Sequence, residues 1–185
     1  MNHPHRRTSA VLALSALAFA LSLAGCSNLG LGGASGEPTA HTQLQPTAGN
    51  TASGRVQFEQ YGQKVVVTAE VRGLKPGAEH GFHVHEKPDC SAPDAMSAGG
   101  HFNPGGKPHA HHGKPERHAG DMPNLRADAQ GVASYRWESD LLTVAAGPNS
   151  VVGRSVVVHR DPDDYSSQPA GNSGPRLACG VVALR

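Results

Sequence analysis

The sequence predicts an all-β domain, a sandwich or barrel with two long loops, and three observations support that class. Glycine (23 residues) and proline (14 residues) are abundant in a chain of 185, which disfavours long helices. Apolar and polar residues alternate in several short segments, as they do in strands with one buried face. Residues 87–127 and 160–177 lack this alternation and contain many Gly, Pro and, in the first stretch, His residues. Irregular stretches of that length in a compact domain are typical of functional loops.

The predicted strands follow one another from residue 54 onward. In the segment Lys64–Val71, every second residue is apolar, so these residues share one face. The other predicted strands are Arg55–Glu59, Gly81–Glu86, Val132–Trp137, Ser155–His159 and Ala178–Leu184. We expect no helix of ordinary length, and the sequence has no internal repeat.

The N-terminus has the pattern of an export signal. Arg6 and Arg7 precede the apolar run Ala10–Leu23, which is too short to predict a membrane span. The next residues, Leu23-Ala24-Gly25-Cys26, resemble the bacterial lipobox, in which the cysteine is lipidated and becomes the first residue of the mature protein. Residues 1–25 are therefore predicted to be a lipoprotein signal peptide, with lipid on Cys26 as the membrane anchor. The alternative is an ordinary signal peptide that contains a cysteine.

The segment after the cysteine predicts a tether. Ser27 to Ala52 is rich in Gly, Ser, Thr, Pro and Gln and has no periodicity. We therefore expect a lipidated N-terminus and flexible tether over residues 26–52, with His41 solvated, and a folded domain over residues 53–185. Ser27 stands where an aspartate would, in many bacteria, mean retention at the inner membrane. The predicted location is the bacterial periplasm, on the outer membrane rather than the inner.

The cysteine count agrees with export. Of three cysteines, Cys26 is assigned to lipid, which leaves Cys90 and Cys179 as one pair. In an oxidising compartment the expected state of that pair is a disulfide. The formal net charge is only +1, so the sequence gives no reason to expect a nucleic-acid partner.

Histidine is the unusual residue, with 12 copies. His83 and His85 alternate on a predicted strand, so both rings can face one ion, although a His-x-His pair alone is a weak signal. Further candidate ligands are His101, His109, His111, His112, His118, Asp121 and, at the end of a strand, His159. Imidazoles with one carboxylate suit zinc or copper rather than calcium or magnesium. A solvated His-rich tract could explain the loop histidines, but not those on strands.

Four long motifs resemble the signatures of the copper/zinc superoxide dismutase family. They are GFHVHEKPDC (81–90), AGGHFNP (98–104), RHAGDMPNL (117–125) and GNSGPRLACGVV (171–182), and the resemblance covers residues 53–185. It implies an eight-stranded Greek-key β-barrel, often described as an immunoglobulin-like sandwich. It also implies dismutation of superoxide to oxygen and hydrogen peroxide, with one copper and one zinc ion per subunit. The expected role is protection of the cell envelope from superoxide.

The same resemblance implies roles for individual residues. Copper would be bound by His83, His85, His101 and His159, and zinc by His101, His109, His118 and Asp121. His101 would bridge the two ions and supply a proton, Arg176 would sit beside the copper and attract the anionic substrate, and Asp163 would join ligand histidines of both metals. Cys90 and Cys179 match the family's disulfide within one subunit.

Two assignments stay open at this point. His109 lies eight residues after His101 and nine before His118, as the family spacing requires, but the family often has glycine after this ligand. Here the histidine followed by glycine is His112. Asp164 is likewise adjacent to Asp163 and could take its place.

Two other function classes remain. A non-catalytic copper/zinc-binding envelope lipoprotein would use the His-rich loop, but it would need neither a bridging histidine nor Arg176. A β-sandwich interaction module would need no histidine cluster. The sequence also leaves monomer and homodimer open.

Overall fold

The structure is a computed structural model that describes residues 37–185. The predicted signal peptide over residues 1–25, the predicted lipidation at Cys26 and the first part of the predicted tether lie outside these residues. The ten strands are β1 (Thr39–Pro46), β2 (Ser53–Tyr61), β3 (Lys64–Arg72), β4 (Glu79–His80), β5 (Phe82–His85), β6 (Leu125–Arg126), β7 (Ala133–Ser139), β8 (Ser155–His159), β9 (Arg176–Val181) and β10 (Ala183–Leu184). The one helical turn among the described residues is the 3₁₀ turn Met96–Ala98. No helix in this part of the chain is long and apolar enough to span a membrane.

Eight of the strands form one antiparallel sheet. Its order is β5-β8-β9-β1-β2-β3-β7, and β10 pairs with the start of β1. Strand β1 pairs with β2 along one edge, while its other edge meets β10 at Ala40 and β9 at Gln45. Such a change of partner is how a sheet curls over its own core, and it confirms the all-β class of eight strands. Strands β4 and β6 form a separate two-stranded sheet.

The core lies inside the curl. Val65, Val67 and Val71 of β3 are completely buried, which confirms the alternation predicted for that strand. Phe58 and Phe82 are also inaccessible, and the Phe82 ring meets Tyr135 edge-to-face at 5.2 Å. Burying one such side chain contributes about 1.5–3 kcal/mol, so these residues stabilise the sheet that carries the loops.

The structure corrects the expected tether. Residues 39–46 are not a flexible linker but strand β1, which pairs with β2 from Thr39 opposite Glu59 to Leu44 opposite Gly54. Ala40 and Leu44 are fully buried, whereas His41 is exposed. The predicted boundary at residue 52 is therefore wrong, because the folded domain already includes β1.

Two long loops lie between the strands. The first long loop (residues 86–124) connects β5 to β6, and the second long loop (residues 160–175) connects β8 to β9. A disulfide between Cys90 and Cys179 fastens the first loop to β9 across a separation of 89 residues. In the chain-entropy account, closing a loop of that size stabilises the fold by about 4–5 kcal/mol.

Candidate metal centre

Strand pairing brings distant histidines to one end of the sheet. Strand β5 pairs with β8, with Phe82 opposite Val158 and His85 opposite Ser155. The alternating His83 and His85 therefore lie beside His159 at the end of β8. The first long loop then docks along β5 through isolated bridges that place His101 opposite His85 and Asp121 opposite His83.

Four histidines converge there. We call His83, His85, His101 and His159 the four-histidine group; all are buried, and each offers a ring nitrogen within 4.8 Å of the others. The Nε2 atoms of His85 and His159 are 3.4 Å apart, and the rings of His83 and His101 stack at 3.9 Å. These are the four residues that the family resemblance assigned to copper.

The opposite ring nitrogens are held by hydrogen bonds. His85 Nδ1 donates to the Gly99 carbonyl at 2.9 Å, and His159 Nδ1 donates to the Gly174 carbonyl at 3.1 Å. These bonds set the tautomer and leave each Nε2 lone pair pointing into the group. His83 Nδ1 and His101 Nε2 are buried without any hydrogen-bond partner. An orphaned buried polar atom costs about 1–3 kcal/mol, so the pair fits a site whose partner is a metal ion.

Burial also sets the protonation state of this group. It lowers the pKa of His83 and His85 well below the ordinary value and lowers that of His159 to about 4. Neighbouring imidazoles act in the same direction on all three rings. The rings are therefore neutral at pH 7, which is the form that binds a metal ion.

A second group adjoins the first and shares one ring with it. We call His101, His109, His118 and Asp121 the aspartate group; its donor atoms also lie within 4.8 Å of one another. Asp121 Oδ1 lies 2.8 Å from His101 Nδ1, 3.0 Å from His109 Nδ1 and 3.2 Å from His118 Nδ1. Three imidazole nitrogens and one carboxylate oxygen form a donor set typical of a tetrahedral zinc site.

Protonation differs in the aspartate group. Burial alone would raise the pKa of Asp121, but hydrogen bonds from His101, His109 and His118 hold it well below its usual range. Burial would lower the pKa of His109, but its hydrogen bonds to Asp121 and Asp163 outweigh that and raise it to about 9. Without a metal ion, His109 therefore carries a proton at pH 7.

Asp163 connects the two groups. Its Oδ2 lies 2.8 Å from His83 Nε2, and its Oδ1 lies 3.0 Å from His109 Nε2. Asn124 holds this residue, accepting from the Asp163 backbone N–H at 2.9 Å and donating to the Asp163 carbonyl at 3.1 Å. The neighbouring Asp164 is exposed and instead accepts hydrogen bonds from backbone N–H groups of its own loop. The structure thus places Asp163, and not Asp164, between the histidines.

The structure distinguishes the three neighbouring histidines of the first long loop by whether they lie in the aspartate group. His109 is buried in the aspartate group, whereas His111 and His112 lie outside it and pack against each other with ring centres 3.9 Å apart. The ring of Tyr165 lies 4.8 Å from that of His111 and 5.5 Å from that of His112. The geometry therefore favours the spacing argument over the glycine that follows His112.

Arg176 lies at the entrance to the four-histidine group. It begins β9 opposite His159, and its guanidinium donates to the carbonyls of Ala95 at 2.7 Å and Gly99 at 2.6 Å. Arg176 and His159 both line an open cavity of about 590 Å³ between the two long loops. The Cys90–Cys179 disulfide restrains the loop segment that supplies the two carbonyls.

Several supporting residues escaped the sequence analysis. The carbonyls of Gly99 and Gly174 carry no sequence signal, because any residue type provides one. His80 is buried and its Nδ1 donates to the His159 carbonyl at 2.9 Å, although the sequence analysis did not include it among the candidate residues. Asn124 and Gln168 contact site residues through their side-chain amides, and no spacing rule indicated either.

The site consists of two adjoining histidine-rich groups that share one imidazole, and it lies at the end of a curled antiparallel sheet. This arrangement defines a protein with a binuclear copper and zinc centre. The chain belongs to the copper/zinc superoxide dismutase family, whose model matches residues 52–182. It is 40% identical to a Cu-Zn superoxide dismutase of Deinococcus radiodurans, over 95% of this chain and 96% of the relative. It is 39% identical to Cu-Zn superoxide dismutase 2 of Aquifex aeolicus, over 77% and 85% of the two chains. A crystal structure of the clock protein EA4 is 38% identical, with a TM-score of 0.73, covering 81% of this chain and 96% of that chain.

Proposed function

We propose that this chain catalyses the dismutation of superoxide, in which two superoxide ions and two protons give one molecule of oxygen and one of hydrogen peroxide. The observation that carries the proposal is the shared ring of His101. Its Nδ1 belongs to the aspartate group, 2.8 Å from Asp121, and its Nε2 is the unpartnered atom that faces the four-histidine group. One imidazole that belongs to both metal sites links the two ions. A redox centre uses such a link, whereas metal storage does not require it.

The donor sets support one particular metal for each group. The four-histidine group would hold copper, since four imidazoles and no carboxylate suit an ion that changes oxidation state. The aspartate group would hold zinc, which has no redox chemistry and keeps His101 in place. Bound copper supplies the one-electron exchange with each superoxide ion in turn.

The protein's own residues handle the proton and the substrate. His101 Nε2 is buried and has no protein hydrogen-bond partner, so whenever this nitrogen is not bound to a metal ion it can hold a proton and pass it to the reduced product. Arg176 keeps its positive charge at any physiological pH, and its two carbonyl acceptors fix the guanidinium at the cavity wall. A small anion that enters the cavity therefore meets a fixed cation beside His159.

A superoxide-consumption assay on the copper- and zinc-loaded protein, with metal analysis, tests this function. We expect one equivalent of each metal and rapid loss of superoxide, and we expect His101→Ala to lose most of the activity. A protein that binds both metals but leaves superoxide decay unchanged would instead be the metal-storing lipoprotein.

We also propose that the chain is an exported lipoprotein, anchored through Cys26 and facing the periplasm from the outer membrane. The motif Leu23-Ala24-Gly25-Cys26 supports this. Twelve residues separate Cys26 from β1, which begins at Thr39, and an extended chain of that length could reach roughly 40 Å. Fractionation of cells that express Cys26→Ser should show an active protein released from the membrane. Persistent membrane association of this variant in high salt would contradict the proposal, and sedimentation of the released protein would decide between monomer and homodimer.

A further inference from the structure

The cavity beside the four-histidine group has two opposite charges on its wall. Apart from His159, the described residues that line it include only two ionisable side chains, those of Arg176 and Asp94. We propose that Asp94 is a specificity-determining residue, whose carboxylate limits the attraction of the cavity for doubly charged anions. The inference rests on the proposed function and concerns how the site prefers superoxide, a singly charged ion, to other anions.

The two charged side chains contact the same turn of the first long loop. Arg176 donates to the carbonyls of Ala95 at 2.7 Å and Gly99 at 2.6 Å, whereas Asp94 Oδ1 accepts from the Met96 N–H at 3.0 Å. The guanidinium is therefore bonded to carbonyls rather than to the carboxylate, and Asp94 is exposed. Because the two groups do not pair with each other, the charge of each can act on an ion in the cavity.

The carboxylate of Asp94 is close enough to influence Arg176. Burial lowers the pKa of Arg176, and the charge of Asp94 acts against that shift. Charges at a protein surface act over about 10 Å at 0.1 M salt, so the carboxylate also acts on an anion beside the guanidinium. An anion that touches the guanidinium lies nearer to the cation than to the carboxylate, and a net attraction for superoxide therefore remains.

The effect of the carboxylate depends on the charge of the anion. Coulomb energy is proportional to that charge, so a doubly charged ion is repelled twice as strongly as superoxide. A carboxylate about 7 Å away in water lowers the occupancy of a singly charged ion about threefold and that of a doubly charged ion about sevenfold. Asp94 thus lowers the rate with superoxide, but it reduces the preference for doubly charged ions about threefold. A copper ion in the four-histidine group would add positive charge, and it would do so equally with and without the carboxylate.

The variant Asp94→Asn tests the proposal, because the amide removes the charge and keeps an oxygen that accepts from the Met96 N–H. Calorimetry on the copper- and zinc-loaded protein at constant, low ionic strength measures the affinities for sulfate and perchlorate, tetrahedral ions with two and one negative charges. We expect Asp94→Asn to bind sulfate about sevenfold and perchlorate about threefold more tightly than wild type does. Its second-order rate with superoxide should rise about threefold and should decrease more steeply as salt is added.

Three further variants complete the experiment. Asp89→Asn removes an exposed carboxylate of the same loop that accepts from the Ser91 N–H at 2.8 Å and does not line the cavity, so both affinities should equal those of wild type. Asp94→Glu keeps the charge and should keep the wild-type preference between the two ions. Arg176→Ala should lose affinity for both ions, which would locate them in the cavity. Circular dichroism and thermal unfolding check that each variant is folded.

Equal gains for sulfate and perchlorate in Asp94→Asn would overturn the proposal, as would wild-type affinities in that variant or anion binding that does not depend on Arg176. These affinities are measured without turnover, so they are independent of activity. A wild-type protein that binds the two ions as expected but does not consume superoxide would overturn the proposed function and leave the effect of Asp94 standing.

Discussion

The four-histidine group and the aspartate group are the two halves of the metal centre, and they are held by different structural elements. We call the four-histidine group the sheet-built half and the aspartate group the loop-built half. In the four-histidine group, three rings come from the paired strands β5 and β8, and the outward nitrogens of His85 and His159 bond to backbone carbonyls. In the aspartate group, His109, His118 and Asp121 all come from the first long loop, and His109 is held by side chains of the second loop. The sheet thus shapes one site, whereas side-chain contacts between loops shape the other.

The difference extends to charge. The rings of the four-histidine group are neutral because burial lowers their pKa values, so their lone pairs are free for a metal ion. In the aspartate group two carboxylates raise the pKa of His109 to about 9, so a proton occupies the position of the ion. The first site is ready for a metal ion, whereas the second must release a proton to bind one.

The largest expected effect comes from removing a donor of the loop-built half. We expect His109→Ala to weaken zinc binding more than 100-fold, beyond the 10–100-fold that loss of an outer partner costs. His111→Ala and His112→Ala should keep wild-type affinity, because neither ring reaches the aspartate group. Chelator titration of the three single variants and the triple variant measures this. Loss of zinc in His112→Ala with normal binding in His109→Ala would reverse the assignment.

Asp163 contacts both halves of the metal centre, so replacing it allows the loss of zinc binding to be compared directly with the loss of copper binding. Asp163→Asn should weaken zinc binding about 10–100-fold and copper binding less. The reason is that the carboxylate keeps His109 in place, whereas His83 is also held by the pairing of β5 with β8. Asp164→Asn is the matched control and should bind copper as wild type does. Equal losses of both metals in Asp163→Asn would show that the sheet does not hold its half independently.

The contrast in charge predicts different pH dependences. His109 is protonated in the metal-free protein below its pKa of about 9, and zinc needs the neutral ring. Zinc affinity should therefore rise about tenfold per pH unit from pH 6.5 to about 9, with one proton released per ion. Copper affinity of the zinc-free protein should stay nearly flat over the same range, because burial keeps His83 and His85 neutral and lowers the pKa of His159 to about 4. Calorimetry in buffers of different ionisation enthalpy measures the released protons, and a pH-independent zinc affinity would contradict the scheme.

The pKa shifts of His109 and His159 also make the stability of the metal-free fold depend on pH, and the two dependences run in opposite directions. The raised pKa of His109 stabilises the fold fully below pH 6.5, and this contribution is lost as the pH rises towards 9. The lowered pKa of His159 stabilises it above pH 6.5, and this contribution is lost as the pH falls towards 4.

The sheet could be predicted where its alternation is strong, and not elsewhere. β3 has valine at four of its nine positions, whereas β1 reads TAHTQLQP and buries only Ala40, Thr42 and Leu44 from its alternating positions. Its polar residues resemble those of the tether before it. What makes β1 a strand is pairing with β2, β9 and β10, and these contacts are distant in sequence.

Part of the metal centre could likewise be predicted from the sequence, and part could not. The spacing of His83 and His85 indicates a shared face, and the family motifs supplied the remaining donors. What sequence could not indicate is how the loops are held: the carbonyls of Gly99 and Gly174, and the amides of Asn124 and Gln168, depend on the course of the backbone. A glutamine in a polar loop looks the same whether it faces water or a neighbouring loop.

The smallest expected effect concerns Arg176, at the mouth of the sheet-built half. Its charge is not needed to hold the four-histidine group, because His85 and His159 are fixed by strands and carbonyls. Arg176→Ala should therefore keep both metals and lose only attraction for the anionic substrate. A unit charge pair 4 Å apart in water is worth about 1 kcal/mol, so we expect the second-order rate with superoxide to fall about fivefold.

Two comparisons separate charge from position. Arg176→Lys keeps the charge but cannot form both carbonyl bonds, to Ala95 and Gly99, in the same planar geometry, so its rate should lie between those of wild type and Arg176→Ala. The wild-type rate should decrease as salt is added, and less steeply in Arg176→Ala, because salt screens the attraction. Rates measured by stopped flow at several ionic strengths, with metal content determined on each sample, test both points. If Arg176→Ala loses copper, the guanidinium also holds the Gly99 carbonyl that fixes His85, and the sheet-built half depends on its loops more than we infer.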